Sequence, residues 1–264
     1  MLPHAAKTIL FVCLCLIPAA VWAETHFEAA QRLLESGFET EARRSLELEI
    51  KIRPRNLEAR YDLAILLMRI GHREETIRLY QENMKRGWHL PTVANLSAIY
   101  LKQGKRKSAI QLLEKATRKF RSEAVPWYLL ASIAEQQKQF KKADKYYQRS
   151  LKADRKNGFA HIRYARFLAS RHRLRLAVTH AEHGVRLLPE CAPCLNIEGD
   201  ILRQNHEEKQ ALAAYQKAIS MSSDRTINRS IRLKIIAMLD ALGKHQRASL
   251  MKQTIKAEQK EPVL

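Results

Sequence analysis

The chain has 264 residues, of which 46% are hydrophobic and only 8 are glycine and 8 proline. This composition supports a packed core and excludes collagen-like, low-complexity and disulfide-built chains. The scarcity of glycine and proline also argues against an all-β fold with many tight turns. Lysine and arginine outnumber aspartate and glutamate by 47 to 27, which gives a net charge of +20. We therefore expect a strongly basic, helical protein.

Residues 1–23 have the pattern of a secretory signal peptide. A weakly cationic start is followed by an apolar run and then by small residues up to Ala23, which is typical of a cleavage site. The run is short for a membrane span, and no other stretch is apolar enough to cross a bilayer. We predict an exported protein, periplasmic or secreted, whose mature chain begins near Glu24. An uncleaved anchor, or lipidation at Cys13 or Cys15, is a less favoured alternative.

A period of 34 residues fills the rest of the chain. Small residues recur at this spacing at Ala109, Ala143, Ala177 and Ala211, and a glycine lies five residues earlier in several repeats. Each repeat contains two apolar-periodic stretches of about a dozen residues separated by a short polar turn, which predicts a helical hairpin. A single hairpin cannot bury its apolar face alone, so neighbouring hairpins should stack on one another.

The fourth repeat shows the pattern clearly, with Trp127, Leu130, Ala131, Ala143 and Tyr147. At these positions the sequence resembles the tetratricopeptide repeat family. The resemblance implies an all-α fold, an α-solenoid in which about seven hairpins form a right-handed superhelix. It also implies a non-enzymatic function in binding other proteins. The predicted repeat array spans residues 24–262, and its units are 23–56, 57–89, 90–123, 124–157, 158–191, 192–225 and 229–262.

In this family, ligands usually meet the first helix of each hairpin, and these helices together line a concave groove. The resemblance therefore implies a groove for an extended or helical segment of a partner protein. The groove residues so identified are Phe27, Tyr61, Ile65, Met68, Tyr128, Ser132, Phe159, Arg166, Asn196 and Arg203. Packing of the apolar members against neighbouring helices is the alternative. The lysine and asparagine with which chaperone-binding relatives clamp a terminal carboxylate are missing, which disfavours that class of partner.

The positive charge is concentrated in the middle of the chain. Residues 90–191 carry 22 basic and 7 acidic residues, whereas residues 23–89 carry 12 of each. Several cations recur at the turn between the two helices of a repeat, so stacking should align them as a basic edge. The basic edge comprises Lys105, Arg106, Lys107, Lys141, Lys142, Arg173 and Arg175. Such an edge attracts polyanions, although a solvated surface without a ligand is the alternative.

Cys191 and Cys194 form the one compact cysteine motif of the sequence. In an oxidising compartment we expect a local disulfide, with free thiols or a redox-active pair as alternatives. His180 and His183 share a helix face, but the sequence offers no convergent further ligand for a metal. No catalytic triad, carboxylate pair or phosphate-binding loop stands out. We therefore predict no enzymatic activity, no cofactor and no metal.

The first hypothesis for function is a scaffold or adaptor that binds a segment of a partner protein in its groove. The layout is similar to exported repeat proteins that assist pilus or secretin assembly or cytochrome c maturation, although the lipidation signal usual in the pilus relatives is missing. The alternative is a polyanion-binding module that uses the basic edge. For an exported protein its ligands would be acidic polysaccharide, lipopolysaccharide or anionic lipid rather than nucleic acid. A thiol-redox or metal-handling protein forms a third class.

Overall fold

The computed structural model describes residues 24–258. Within this range the chain forms fourteen helices and no strand. The helices are α1 (His26–Glu35), α2 (Glu39–Ile52), α3 (Leu57–Arg69), α4 (Arg73–Arg86), α5 (Leu90–Lys102), α6 (Arg106–Lys119), α7 (Val125–Gln136), α8 (Phe140–Ala153), α9 (Gly158–Ser170), α10 (Leu174–Leu187), α11 (Ala192–Gln204), α12 (Glu208–Ser220), α13 (Arg225–Ala241) and α14 (His245–Glu258). The predicted all-α class is therefore confirmed. The predicted signal peptide lies outside the described residues.

The chain divides into two compact units, Met1–Leu79 and Tyr80–Leu264, which we call the N-terminal and C-terminal units. In the N-terminal unit, α1, α2 and α3 bury a shared apolar cluster that includes Leu46, Leu63 and Leu67. In the C-terminal unit, each helix from α5 to α14 packs on the helix that follows it. The first helices α5, α7, α9 and α11 also contact one another in sequence. These contacts are those of stacked helical hairpins.

The small residues of the 34-residue period lie where the two helices of a hairpin meet. Ala109, Ala143, Ala177 and Ala211 have no exposed surface. Thr76 occupies the equivalent position in the second repeat, and its buried hydroxyl donates to backbone carbonyl oxygens 3.0 and 3.3 Å away. A larger side chain would push the helices apart in a close-packed interior. The spacing read from the sequence is therefore a packing requirement.

The turn inside each hairpin contains one residue with a positive φ angle, which ends the first helix. These residues are Gly37 (81°), Gly71 (90°), Gly104 (74°), Lys138 (60°), His172 (58°), His206 (63°) and Gly243 (69°). Glycine adopts this left-handed conformation without steric cost, whereas a residue with a Cβ pays about 1–2 kcal/mol. The fold therefore imposes backbone strain at Lys138, His172 and His206.

Two glycines bring α9 and α10 into direct backbone contact. A Cβ on Gly184 would lie 2.7 Å from the Ile162 side chain and 3.0 Å from the Gly158 carbonyl oxygen. A Cβ on Gly158 would lie equally close to the Gly184 carbonyl oxygen. Because neither position has room for a side chain, the two helices approach closely along this face. His161 and His180 lie one turn away from these glycines on the same faces, so the close approach also brings the two histidines together.

Candidate functional site

In the N-terminal unit, four of the predicted groove residues lie on the first helices α1 and α3. Ile65 and Met68 are 38% and 41% exposed and are three residues apart on α3, so their side chains are neighbours. Tyr61 is partly buried. Phe27 packs against the apolar cluster of α1, α2 and α3. The accessible apolar surface of α3 is therefore small and centres on Ile65 and Met68.

In the C-terminal unit, the first helices α7 and α9 form a cleft of about 420 Å³. This cleft, which we call the first-helix cleft, contains two predicted groove residues, Ser132 and Arg166. Glu135 and Phe140 line it from α7 and the start of α8, and Arg171 lines it from the end of α9. The structure thus brings together residues 34 positions apart in sequence, as the repeat predicts, and adds Phe140 and Arg171.

Hydrogen bonds and ring contacts fix most of the cleft. The Tyr147 hydroxyl donates to Glu135 Oε2 at 3.0 Å, and burial raises the pKa of Tyr147 to about 12, so the donor stays protonated. The Arg171 guanidinium lies 4.1 Å from the centre of the Phe140 ring. Arg166, in contrast, forms no ion pair with any residue in 24–258. Its guanidinium is therefore available to a carboxylate from outside the chain.

Tyr128 and Phe159 are further predicted groove residues on α7 and α9. The guanidinium of Arg163 lies 4.9 Å from the centre of the Tyr128 ring, and burial raises the pKa of Tyr128. Phe159 is 50% exposed. Arg163 was not predicted, although its position three residues before Arg166 on the same helix was an available signal. The exposed surface around these residues is thus both aromatic and cationic.

The last two predicted groove residues, Asn196 and Arg203, lie on α11 and do not line the first-helix cleft. Lys234 Nζ on α13 donates to Asn196 Oδ1 at 2.8 Å and to Asp200 Oδ2 at 2.7 Å. Asp200 also accepts a hydrogen bond from the Tyr215 hydroxyl at 2.7 Å. Asn196 therefore serves in a bridge between two first helices, while Arg203 is exposed. The Asn196 side chain is thus already bound within the protein.

The residues of the basic edge are all exposed, and they lie at the start of the second helices α6, α8 and α10. None of these three helices has an acidic residue in its first turn. Arg173 Nη1 lies 3.2 Å from Asp144 Oδ1, and Lys142 Nζ lies 5.7 Å from the centre of the Tyr146 ring. Within the described residues, the other five cations form no ion pair. Most of this positive charge therefore faces solvent.

A cluster of three histidines lies between α9 and α10, and the sequence did not predict it. His161 Nδ1 lies 3.0 Å from His180 Nδ1, and the rings of His161 and His183 are 4.3 Å apart between their centres. His161 is the third imidazole that converges on His180 and His183, and it was not predicted from the sequence. The sequence signal for this contact was indirect. It consisted of Gly158 and Gly184, which let the two helices approach closely.

The hydrogen bonds of the cluster define its protonation. His161 Nε2 lies 3.1 Å from the Arg155 carbonyl oxygen, which can only accept, so His161 carries its proton on Nε2. In the neutral pair, His180 therefore donates from Nδ1 to His161 Nδ1, and His180 Nε2 is unprotonated. Burial, followed by the charges of His161, His183 and Arg173, lowers the pKa of His180 to about 4. Burial also lowers the pKa of His161.

Cys191 and Cys194 are joined by a disulfide in the structure. Cys191 is the N-cap of α11, and its sulfur accepts a hydrogen bond from the Cys194 amide at 3.3 Å. Cys194 is 2% exposed and belongs to the apolar cluster of the last hairpins. The pair is thus built into the start of a helix rather than presented in a cleft.

Among residues 24–258, no three histidine, cysteine or carboxylate side chains are arranged to hold a metal ion. None of the described helices combines the length and the apolar character needed to cross a membrane.

Comparison with known families identifies the repeat. Residues 91–118 and 124–157 match the tetratricopeptide repeat family model, and these segments correspond to the hairpins α5–α6 and α7–α8. The repeat that the sequence pattern predicted is therefore matched by the family model in these two segments. None of the curated proteins matches the sequence.

Comparison with solved structures shows the same fold. A chain of the APC/C hetero-tetramer Cut9–Hcn1 is similar with a TM-score of 0.61 at 14% identity; the match covers 84% of this chain but only 42% of that one. A tetratricopeptide repeat protein from Parabacteroides merdae gives 0.58 at 14% identity, with 88% and 91% covered. PilF of Pseudomonas aeruginosa also gives 0.58 at 14% identity, with 79% and 96% covered. At this identity the likeness is one of fold, and it supports the predicted solenoid of helical hairpins.

Proposed function

We propose that the protein is a non-enzymatic scaffold that binds a segment of a partner protein on its first helices. The observation that carries the proposal is the first-helix cleft, where Arg166 presents an unpaired guanidinium beside Ser132. The first helices of successive repeats lie side by side, so their exposed faces form one extended surface of the kind that repeat proteins use for binding. Most of the residues that line the cleft are polar or charged, which suits a peptide segment better than an apolar small substrate.

The chemistry of the surface defines the segment that it would bind. Arg166 favours a carboxylate, and the exposed ring of Phe159 favours an apolar side chain. Glu135 and Ser132 can bind backbone amides of an extended chain. We therefore propose a partner segment that combines acidic and apolar side chains. In the N-terminal unit, Ile65 and Met68 offer a separate apolar contact.

The proposal extends to the compartment and the kind of complex. The predicted signal peptide at residues 1–23 supports an exported protein, and the resemblance to exported repeat proteins supports assistance in assembly of an envelope complex of the pilus, secretin or cytochrome c maturation type. The compartment can be tested first, by N-terminal sequencing of the protein from the envelope fraction. We expect a mature chain that begins near Glu24; a full-length chain in the cytoplasm would contradict export.

Site-specific photocrosslinking tests the groove. A benzoylphenylalanine at Phe159 should capture a discrete partner in intact cells, and mass spectrometry should identify the segment that contacts it. The matched control carries the same group at Lys145, an exposed residue of the second helix α8. Arg166→Glu should then weaken binding of the identified segment at least tenfold, because it places a like charge against the carboxylate. Equal crosslinking from both positions would contradict a first-helix site.

A second candidate function, binding of an extended polyanion, is favoured by the basic edge. The observation that supports it is the run of solvent-facing cations at the starts of α6, α8 and α10, where no acidic residue accompanies them. Acidic polysaccharide, lipopolysaccharide and anionic lipid are the ligand classes proposed. The test is the salt dependence of binding to alginate and to phosphatidylglycerol vesicles. Affinity should fall steeply with salt, in proportion to the number of counterions released; no detectable binding at low salt would exclude this function.

A further inference from the structure

A second cleft lies among the same repeats and shares no residue with the first-helix cleft. The second helices α8 and α10 form its walls, and α9 forms its floor. Its volume is about 600 Å³, which lies within the roughly 300–1,000 Å³ of small-molecule sites. We call it the second-helix cleft. It is separate from the first-helix cleft and shares one residue, Arg173, with the basic edge.

The cationic and imidazole side chains that line the second-helix cleft are all bases, and no carboxylate is among the lining residues. They are Lys152 and Arg155 on the α8 side, Arg173 and the two histidines His180 and His183 on the α10 side, and His161 on α9. The nearby carboxylates are occupied. Asp144 accepts from the Tyr164 hydroxyl at 2.8 Å and pairs with Arg173, and Asp154 accepts from a backbone amide at 2.9 Å. Glu182, next to His183, is exposed and does not line the cleft.

Apolar groups complete the lining. Leu151 and Leu176 lie on opposite walls, and Leu168 lies on the floor beside Tyr164. Leu176 is 46% exposed, so part of its side chain is open to a ligand. A ligand that filled the cleft would therefore bury apolar surface against these leucines while its polar end faced the bases.

We propose that the second-helix cleft binds a small amphipathic oxyanion, a sulfate, phosphate or carboxylate group attached to an apolar body. The bases of Lys152, Arg155 and Arg173 would hold the oxyanion, and the leucines would hold the body. A divalent metal ion is disfavoured because these three cations repel it. His161 is also unsuited to metal binding, because both of its ring nitrogens already take part in hydrogen bonds.

The histidine cluster couples this site to protons. Protonation of His180 at Nε2 leaves its Nδ1–H bond to His161 intact and adds one positive charge and one donor to the wall of the cleft. Without a ligand, the surrounding cations and burial oppose this step and keep the pKa of His180 at about 4. A bound oxyanion reverses the balance and raises that pKa. Binding is therefore accompanied by proton uptake, and affinity rises as the pH falls.

Titration of the full protein with octyl sulfate, by isothermal calorimetry, tests the proposal. The charge of this probe is constant across the pH range. We expect saturable binding with one site, about three- to fivefold stronger at pH 5.5 than at pH 7.5. Octyl glucoside and octyltrimethylammonium carry the same chain without the anion and should bind at least tenfold more weakly. Inorganic sulfate, which lacks the apolar body, should also bind weakly.

Paired variants separate the site from general charge. Lys152→Gln with Arg155→Gln should lower the affinity for octyl sulfate about 10- to 100-fold, as expected for lost charge-assisted hydrogen bonds. The matched control is Lys145→Gln with Lys156→Gln, which removes the same charge from residues that do not line the cleft. His180→Gln should abolish the pH dependence, whereas His172→Asn, at an exposed turn histidine, should preserve it.

Three results would overturn the proposal. They are equal affinity for the cationic and anionic octyl probes, an equal loss in the two double variants, and chemical-shift changes in wild-type protein that map to Ser132 and Arg166 instead of Leu168 and Tyr164. The last measurement uses no variant, so it decides the question even where a substitution impairs folding.

Discussion

The second helices α2 and α4 of the N-terminal unit and the second helices α6, α8 and α10 of the C-terminal unit begin with opposite charges, while α12 has Glu208 in its first turn. In the N-terminal unit, α2 has Glu39 and Glu41 in its first turn, and α4 has Glu74 and Glu75. In the C-terminal unit, α6, α8 and α10 have no acid there and carry the basic edge instead. A second helix therefore forms with either an acidic or a basic first turn, so the charge of that turn can serve ligand binding.

The helix dipole makes the acidic arrangement the more stable one. A carboxylate near a helix N-terminus stabilises it by about 0.3–1 kcal/mol, and a cation there is unfavourable. Two of these four acids are also paired, since Glu39 lies 3.0 Å from Arg69 and Glu75 lies 3.8 Å from Arg43. The cations of the C-terminal unit are mostly unpaired within the described residues and oppose the dipole. This contrast is the strongest argument that the basic edge has a ligand.

Reversing the basic edge should produce the largest effect. We expect affinity for alginate at low salt to fall more than 100-fold in a variant that carries Lys105→Glu, Arg106→Glu, Lys107→Glu, Lys141→Glu and Lys142→Glu. About five contacts with carboxylate groups are lost, and repulsion replaces them. The free energy of unfolding should stay unchanged or rise, because acids now occupy helix N-termini. Equilibrium binding and urea denaturation measure the two outcomes.

The reciprocal variant is the control. Glu39→Lys with Glu41→Lys gives the N-terminal unit the charge of the basic edge, and it should lower stability by about 0.3–1 kcal/mol per residue without a comparable gain in alginate affinity. If the two variants change affinity by the same factor in opposite directions, only the net charge of the chain matters. The difference in charge between the two units would then not indicate a polyanion-binding site.

The α1–α2 and α9–α10 hairpins differ in the small residues that are buried between their helices. The hairpin of α1 and α2 meets through buried alanines, Ala30 and Ala42, whereas α9 and α10 meet at glycine. Gly184→Ala should therefore lower the free energy of unfolding of the C-terminal unit by about 1–3 kcal/mol, since the new Cβ overlaps Ile162 and a backbone oxygen. Tryptophan fluorescence of a chain beginning at Glu24 reports this unit alone. Glu182→Ala, exposed on the same helix, should change stability by less than about 0.5 kcal/mol.

These two contrasts show what sequence could and could not predict. The period of small residues predicted the hairpins, because helix packing requires a small side chain at a fixed position in every repeat. It also placed Ser132 and Arg166 on one surface, since equivalent positions of successive repeats are neighbours. The histidine cluster was not predicted because His161 and His180 belong to different helices with no periodic relation. The two histidines meet only because α9 and α10 approach closely. That approach is possible because Gly158 and Gly184 have no side chain.

The cluster predicts a difference in acid sensitivity between the units. The pKa of His180 in the folded protein, about 4, lies below the value of 6.5 of an ordinary histidine. The folded state therefore binds fewer protons than the unfolded state, and stability is lost as the pH falls from about 6.5 towards 4. We expect the C-terminal unit to lose about 1 kcal/mol between pH 7 and pH 5, after allowance for the partly exposed ring. His180→Gln should remove most of this loss, measured by urea denaturation with tryptophan fluorescence.

The turn residues should give the smallest effects. In the C-terminal unit glycine holds two of the turns, at Gly104 and Gly243, and residues with a Cβ hold the other three. Both hairpins of the N-terminal unit turn at glycine, Gly37 and Gly71, whereas Lys138 and His172 hold the same left-handed conformation in the C-terminal unit. Lys138→Gly and His172→Gly should each raise the free energy of unfolding by about 0.5–1 kcal/mol, because relief of the steric cost exceeds the added entropy of the unfolded chain.

The opposite change, Gly71→Lys, tests the same argument in the N-terminal unit. It should lower stability by about 1 kcal/mol, followed by circular dichroism because the tryptophans lie elsewhere. Nothing lies within 4 Å of a Cβ placed on Gly71, so any loss comes from the backbone alone. Should Lys138→Gly destabilise the protein, its side chain must make contacts that outweigh the strain, and the turns of the two units would differ in more than the presence of glycine.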